Sequence, residues 1–273
     1  MKKIVMAEIL RNQSLGDRIF DMVLKAPEIA SQACAGQFVS VYTDDPSKIL
    51  PRPISLCEVD REQGTLRLVY RVTGEKTGTM EFSKANAGDV LKIMGPLGNG
   101  FPSLKEKNVW IIGGGIGVFP LFELTKQVIE RDCPVKVSAL LGYRNANRFL
   151  IDEFEALAKD SLDYTVYTAT EDGSFGFCGN VMNIINSITS EGSDELPDVI
   201  YACGPKPMLR AIQAFAKQEN IECYLSLEER MACGIGACLA CVCETEEEDG
   251  HSHVRNARIC KDGPVFEAKA IVL

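Results

Sequence analysis

The chain has 273 residues, of which 46% are hydrophobic and 25% charged, with 29 Lys and Arg against 38 Asp and Glu for a formal net charge of −9. That composition belongs to a folded enzyme and excludes a disordered or collagen-like chain. Its acidity also counts against nucleic acid, which needs a basic face to neutralise phosphate.

At the N-terminus Lys2 and Lys3 imitate the start of a signal peptide, but Glu8 and Arg11 interrupt the apolar run that should follow. A cytoplasmic protein is expected. Short strands separated by turn residues are predicted over 3–10, 19–26, 37–43, 53–59, 65–72 and 90–94. The clearest is 65–72, where Leu66, Leu68, Tyr70 and Val72 alternate with Arg67, Val69 and Arg71. Six such strands predict an antiparallel barrel or sandwich. Arg52-Pro53-Ile54-Ser55 opens one of them with a permanent cation, a rigid residue and a hydroxyl, which in isolation is a surface arginine at a strand start. Residues 95–100, Gly-Pro-Leu-Gly-Asn-Gly, then end the pattern with turn formers.

Beyond that break strands (108–112, 135–141, 164–167, 199–202) alternate with helices (120–131, 149–159, 180–188, 206–218), the pattern of a doubly wound parallel sheet. The longest uncharged apolar stretch, residues 109–122, is 14 residues long and contains four glycines and Pro120, so it is too short and too broken to span a bilayer. Leu121, Leu124, Thr125 and Val128 share one helical face and read as core. Gly113, Gly114, Gly115 and Gly117 lie where a strand opens into a helix, the place where glycines admit phosphate to a helix N-terminus. Val118 takes the place of the third glycine of the dinucleotide fingerprint, which keeps a plain tight turn as the rival reading. A second turn, Cys203-Gly204-Pro205, ends a later strand on the same carboxyl edge, where open α/β sheets bind ligands. Arg144 and Arg148 follow the 135–141 strand and leave NAD and NADP both open.

A last strand over 222–227 leads into the cysteines. Of eleven, five are scattered and six lie between Cys223 and Cys260. An odd number clustered in a cytosolic chain points to metal or redox chemistry and not to a disulfide framework. Cys233, Cys238 and Cys241 form a C-x4-C-x2-C array with Cys260 beyond it, the thiolate order of a plant-type [2Fe–2S] cluster. Gly234 and Gly236 let the loop wrap closely. The rival is structural zinc, whose usual signature is two C-x2-C knuckles; only Cys238 and Cys241 form one. Cys243 remains a rival to Cys260 as fourth ligand. The only histidines, His251 and His253, sit in an acidic stretch and allow no Ser-His or Cys-His pair in a core; a solvated loop is preferred there to a stray metal site. Three pieces are expected: 1–103, a β domain; 104–222, an α/β domain; and 223–273, a cysteine-rich segment too small to fold without a metal or a neighbour.

With its R-x-x-S strand, G-G-G-x-G-x-x-P turn and C-G-P turn, the chain resembles the ferredoxin–NADP reductase-like flavoproteins. The stretch from Glu228 to Cys243, with Gly263-Pro264-Val265-Phe266, resembles within that family the electron-transfer subunits of class 1B dihydroorotate dehydrogenases. The resemblance implies a six-stranded FAD-binding β-barrel, an NAD-binding α/β domain and a [2Fe–2S] segment held by Cys233, Cys238, Cys241 and Cys260. It places Arg52 on FAD phosphate, Pro53, Ile54 and Ser55 along the isoalloxazine, Val69, Tyr70 and Arg71 in a second flavin-contacting segment, and Gly78-Thr79 at the pyrophosphate. The loop 74–79 is two residues longer than the family's G-x-G-T, so Lys76-Thr77 competes with Gly78-Thr79, the spacing to Gly95-Pro96 favouring the latter. The implied partner is an FMN-containing dihydroorotate dehydrogenase catalytic subunit, two of each chain, with electrons passing from dihydroorotate to NAD in pyrimidine biosynthesis. The acid–base chemistry then belongs to the partner, and no catalytic residue is assigned here.

Two other readings compete, beside a stand-alone oxygenase reductase that the C-terminal placement and glycine spacing of the cysteine segment disfavour. One is an NAD(P)H–ferredoxin oxidoreductase subunit of an electron-bifurcating complex, in which an Asp is expected among the cluster ligands where this chain has Cys233. The other is a regulatory module stapled by zinc, which leaves the arginine strand and both nucleotide turns as coincidences.

Overall fold

The computed structural model describes residues 2–102, 107–131, 135–160, 163–190, 196–248 and 253–273. The expected boundary at 103/104, Cys133 and His251 lie outside the described residues. The chain divides into two compact units, Met1–Phe101 with Glu228–Cys243 and Ala257–Val265, and Pro102–Leu227 with Glu244–Asn256 and Phe266–Leu273.

The first unit holds β1 (Lys3–Gly16), β2 (Ile19–Lys25), the short α1 (Pro27–Ala30), β3 (Phe38–Val41), β4 (Arg52–Ser55), β5 (Glu58–Asp60), β6 (Thr65–Arg71), α2 (Gly78–Phe82) and β7 (Val90–Leu97). All pairs are antiparallel, in the order β4-β3-β7-β1-β2-β6-β5. The strand expected over 53–59 is two strands at opposite ends of that order, so the sheet has seven. Leu56 and Cys57, both fully buried, carry the chain across. Leu56 N–H donates to the Gln37 carbonyl at 3.0 Å, and Cys57 N–H to the Arg67 carbonyl at 2.9 Å. This handover closes the sheet on itself, the way a barrel disposes of its edges.

Period-2 alternation sorts β6 as the sequence reads it. Leu66, Leu68 and Tyr70 join Ile9, Met22, Leu24, Val39, Ile54 and Ile93 in the barrel core. Arg67, on the other face, meets the buried Asp21 at 3.0 Å, and Arg11 reaches the same carboxylate at 2.8 Å. β7 continues through Gly95-Pro96, where the sequence reads only a turn. Phe38 pairs with Leu97 but Ser40 with Met94, so β7 carries one extra residue there. The bulge absorbs a proline that has no N–H for the ladder.

The second unit is built on β8 (Asn108–Gly114), α3 (Phe119–Ile129), β9 (Lys136–Tyr143), α4 (Ile151–Ala156), β10 (Tyr164–Thr170), β11 (Phe177–Cys178), α5 (Val181–Ser190), β12 (Val199–Cys203), α6 (Lys206–Glu219) and β13 (Glu222–Ser226). Three short strands follow: β14 (Val242–Glu244) with β15 (Asn256–Arg258) as a ribbon, and β16 (Val265–Glu267), which extends the larger sheet. That sheet runs β11-β10-β9-β8-β12-β13-β16, and its β8 to β13 pairings are parallel. From β8 the chain winds outward through β9 and β10, then returns to β12 on the other side, which makes the β8/β12 junction the topological switch point. Leu121, Leu124, Thr125 and Val128 of α3 are all buried, as their spacing predicts. Among the described residues no helix is long and apolar enough to cross a membrane.

Candidate functional site

Arg52 starts β4 opposite Val41 of β3. Its guanidinium donates to the Leu50 carbonyl and lies against Gly78, where a Cβ would stand 2.5 Å from Arg52 Nε and 2.8 Å from Cζ. Gly78 and Thr79 open α2, and the first N–H groups of a helix have no acceptor within it. Thr77 caps the turn by accepting the Met80 N–H at 3.3 Å. A guanidinium beside open N–H groups is a receptor for phosphate oxygens. Of the two competing turns, Gly78-Thr79 is the one on which Arg52 packs. The Thr79 hydroxyl is spent on the loop: it accepts the Thr73 N–H at 3.2 Å and lies 3.0 Å from Thr77 Oγ1. Thr73 belongs to no motif, and its only signal in the sequence is that three threonines fall within seven residues.

The alternation divides the other flavin candidates. Pro53 and Ser55 occupy one face of β4 while Ile54 is in the core, and Val69 and Arg71 occupy one face of β6 while Tyr70 is in the core. Tyr70 stacks on Phe20 with centroids 5.9 Å apart, and burial holds its phenol well above the usual range. The strands β4 and β6 approach each other, and Val69, although it points away from the barrel core, is only 3% exposed. Ile54 and Tyr70 have only their main chains to offer a ligand on that face.

In the second unit the two turns of the sheet edge meet. A Cβ on Gly117 would run into the Cys203 carbonyl and stand 2.6 Å from Gly204 N; one on Gly114 would reach Met208 Sδ at 2.5 Å and Pro205 Cδ at 3.1 Å. Gly113 is similarly closed by Val118 Cγ1 at 2.8 Å, while Gly115, at φ +56°, faces open space. The glycines let two backbone turns close on each other at the switch point, the place where open α/β sheets take ligands, while the turn at Gly115 stays open.

The cysteines form two pairs. Cys238 lies close enough to Cys233 to lower its thiol, and Cys241 close enough to Cys260 to raise its thiol. Ile235 and Ala237 N–H groups donate to Cys233 Sγ at 3.5 and 3.3 Å, and the Cys260 N–H to Cys241 Sγ at 3.4 Å. Burial works against the Cys233 thiolate, but these N–H groups and Cys238 outweigh it and bring the thiol down to about 6. Burial, with the hydrogen bond to Cys241, pushes the Cys260 thiol up to about 12. Gly236, at φ +85°, has no room for a Cβ, which would lie 2.7 Å from Lys261 Cδ. Arg258 holds the return loop through Asp262 at 2.8 and 3.1 Å, and keeps that carboxyl below its ordinary range. The return loop is joined to the end of β7: Asn99 N–H donates to the Gly263 carbonyl at 2.6 Å and its side-chain amide to the Asp262 carbonyl at 2.8 Å. Among the described residues no three or more His, Cys, Asp or Glu converge on one point as the ligands of a single metal ion do. Two thiol pairs, with N–H groups aimed at sulfur, instead suit two irons with two thiolates each.

Comparison with known proteins covers the same three regions. An oxidoreductase FAD-binding domain matches residues 9–101, an oxidoreductase NAD-binding domain 111–214, and the iron–sulfur cluster binding domain of dihydroorotate dehydrogenase B 228–272. The dihydroorotate dehydrogenase B (NAD(+)) electron transfer subunit of Streptococcus mutans is 40% identical over 269 residues, 97% of this chain and 96% of that protein. The Geobacillus kaustophilus protein of the same name is 40% identical over 266 residues, 95% of each chain. A solved NADH-dependent reduced ferredoxin–NADP oxidoreductase superposes with a TM-score of 0.83 at 25% identity, over 98% of this chain and 90% of that one. An electron-transfer subunit serves a partner catalytic subunit. The chain belongs to the dihydroorotate dehydrogenase B electron-transfer subunit family, an oxidoreductase subunit with FAD-, NAD- and iron–sulfur-binding domains.

Proposed function

We propose that this chain carries electrons between an FMN-containing dihydroorotate dehydrogenase subunit and NAD in pyrimidine biosynthesis, in a cytoplasmic assembly with two copies of each chain. Residues 1–103 receive FAD, 104–222 receive NAD, and 223–273 hold the cluster. When bound, nicotinamide exchanges a hydride, flavin handles electrons singly or in pairs, and a [2Fe–2S] cluster passes them one at a time.

The chain's own residues supply position and charge. Arg52 with the Gly78 and Thr79 N–H groups takes the FAD diphosphate. Pro53 and Ser55 present a face for the ring, with Ile54, Val69 and Tyr70 contributing main chain and Arg71 a second cation. The turns Gly113–Gly117 and Cys203–Pro205 receive the NAD diphosphate. Cys233, Cys238, Cys241 and Cys260 supply thiolates, and the Ile235 and Ala237 N–H groups stabilise negative charge on Cys233.

The observation that carries the reading is the cysteine loop itself, in which the Ile235 and Ala237 N–H groups donate to Cys233 Sγ and the Cys260 N–H donates to Cys241 Sγ. Anaerobic co-purification of the chain with its partner, followed by assay of dihydroorotate-dependent NAD reduction and a visible spectrum, tests it. The expected result is flavin and iron–sulfur absorption together with that activity. A complex with the same spectrum that is inert to dihydroorotate but reduces ferredoxin overturns the pathway and favours the bifurcating-complex reading, to which the 0.83 superposition is the pointer.

A further inference from the structure

The segment that brings Arg52 to α2 is tied to that helix a second time. Lys48, four residues before Arg52, places its ammonium between Asp45 Oδ2 and Glu81 Oε1, and Glu81 lies three residues after Gly78 on α2. The lysine side chain is only 15% exposed. Asp45 fixes the local turn by accepting the Ser47 N–H at 2.8 Å and hydroxyl at 2.7 Å, while Lys48 N–H donates to the Asp45 carbonyl at 2.9 Å. Between the two ties, Ile49 and Leu50 are 83% and 52% exposed, so packing of these side chains does little to hold the segment. The lysine also offsets part of the charge of two carboxylates that stand beside an anion-binding turn.

We propose that Lys48 is a positioning residue for the flavin diphosphate: by joining Asp45 to Glu81 it holds Arg52 over the opening turn of α2. The inference rests on the reading that Arg52, Gly78 and Thr79 receive that diphosphate. A group that fixes a ligand-binding side chain from behind acts through geometry, and its loss weakens the ligand it never touches.

The test is the affinity of the deflavinated full-length chain for FAD and for riboflavin, which lacks the diphosphate. Lys48→Met is expected to weaken FAD by about tenfold or more, with riboflavin changed by less than about twofold; Lys48→Arg restores most of the loss, and Lys84→Met, which removes an exposed charge close to α2, leaves FAD within about twofold. The proposal is overturned if Lys48→Met binds FAD like the native chain, if FAD and riboflavin weaken by one factor, or if Lys84→Met loses as much. Should Lys48→Met not fold, the swapped pair Lys48→Glu with Glu81→Lys is compared with its single variants: tighter FAD binding in the pair supports the clamp, and no recovery overturns it. Arg52→Met separates the two readings, because full FAD affinity in that variant removes the phosphate site itself, while its loss beside an unaffected Lys48→Met removes only the clamp.

Discussion

The Cβ that Gly78 lacks would stand 2.5 Å from Nε of Arg52. The obstructed group is the mobile end of a long side chain, so Gly78→Ala is expected to fold with a stability change within about 1 kcal/mol. Arg52 must nevertheless move off the turn. FAD affinity should fall by roughly tenfold or more, read by flavin release on ultrafiltration alongside the unfolding midpoint of the apoprotein. A variant that keeps its flavin separates Arg52 from the diphosphate.

Gly117 presents the opposite case, because the atoms it would strike belong to the backbone at Cys203 and Gly204. Gly117→Ala cannot be absorbed by a rotamer change and should cost about 1–3 kcal/mol through overpacking. NAD affinity should fall with it, while flavin content stays native. Calorimetry and titration with NAD check both halves.

Replacing Cys233 or Cys260 by Ala leaves one thiol pair incomplete, and either variant should lose the cluster's visible absorption and its iron. Cys243→Ala should retain both. Iron analysis and electron paramagnetic resonance of anaerobically purified protein decide it, and a Cys260→Ala chain with an intact cluster would transfer the fourth ligand to Cys243.

In the metal-free chain the two ends of the array should differ in reactivity. With its thiol at about 6, Cys233 is largely thiolate at neutral pH, whereas Cys260, pushed up to about 12 and 1% exposed, remains a shielded thiol. Brief alkylation at pH 7 followed by peptide mass analysis should find Cys233 modified well before Cys260. The sign of the linkage follows from a depressed acid: the contribution of Cys233 to apoprotein stability is complete above its ordinary value of 9.0 and is lost as pH falls through about 6.

Much of this was legible in the residues, and the reasons differ by element. The alternation over 65–72 picks out the core face of β6 and puts Tyr70 on it, and Ile54, drawn into the flavin set by a motif, is in the same core. Parallel βα units announce themselves through buried runs, and the turn at Gly113–Gly117 is readable although Val118 breaks the fingerprint. Closure of the barrel at Leu56-Cys57 was not readable, since a strand that changes partners keeps one unbroken apolar pattern. The helix Gly78–Phe82 and the strands β14, β15 and β16 are too short to show a period. Lys48 carried no signal, because an ion pair across 33 positions leaves no trace in spacing.

The hydrogen bonds from Asn99 to Asp262 and Gly263 join residues about 160 positions apart, so one compact unit is made from both sides of the other in the chain. At roughly 5–20 residues per second of synthesis, the barrel on a ribosome waits on the order of ten to thirty seconds for the segment that caps the end of β7. During that interval Gly98, Asn99 and Ser40 stand without the cysteine loop that covers them in the finished molecule. The cysteine thiols therefore reach their places only after every strand of the barrel has been made.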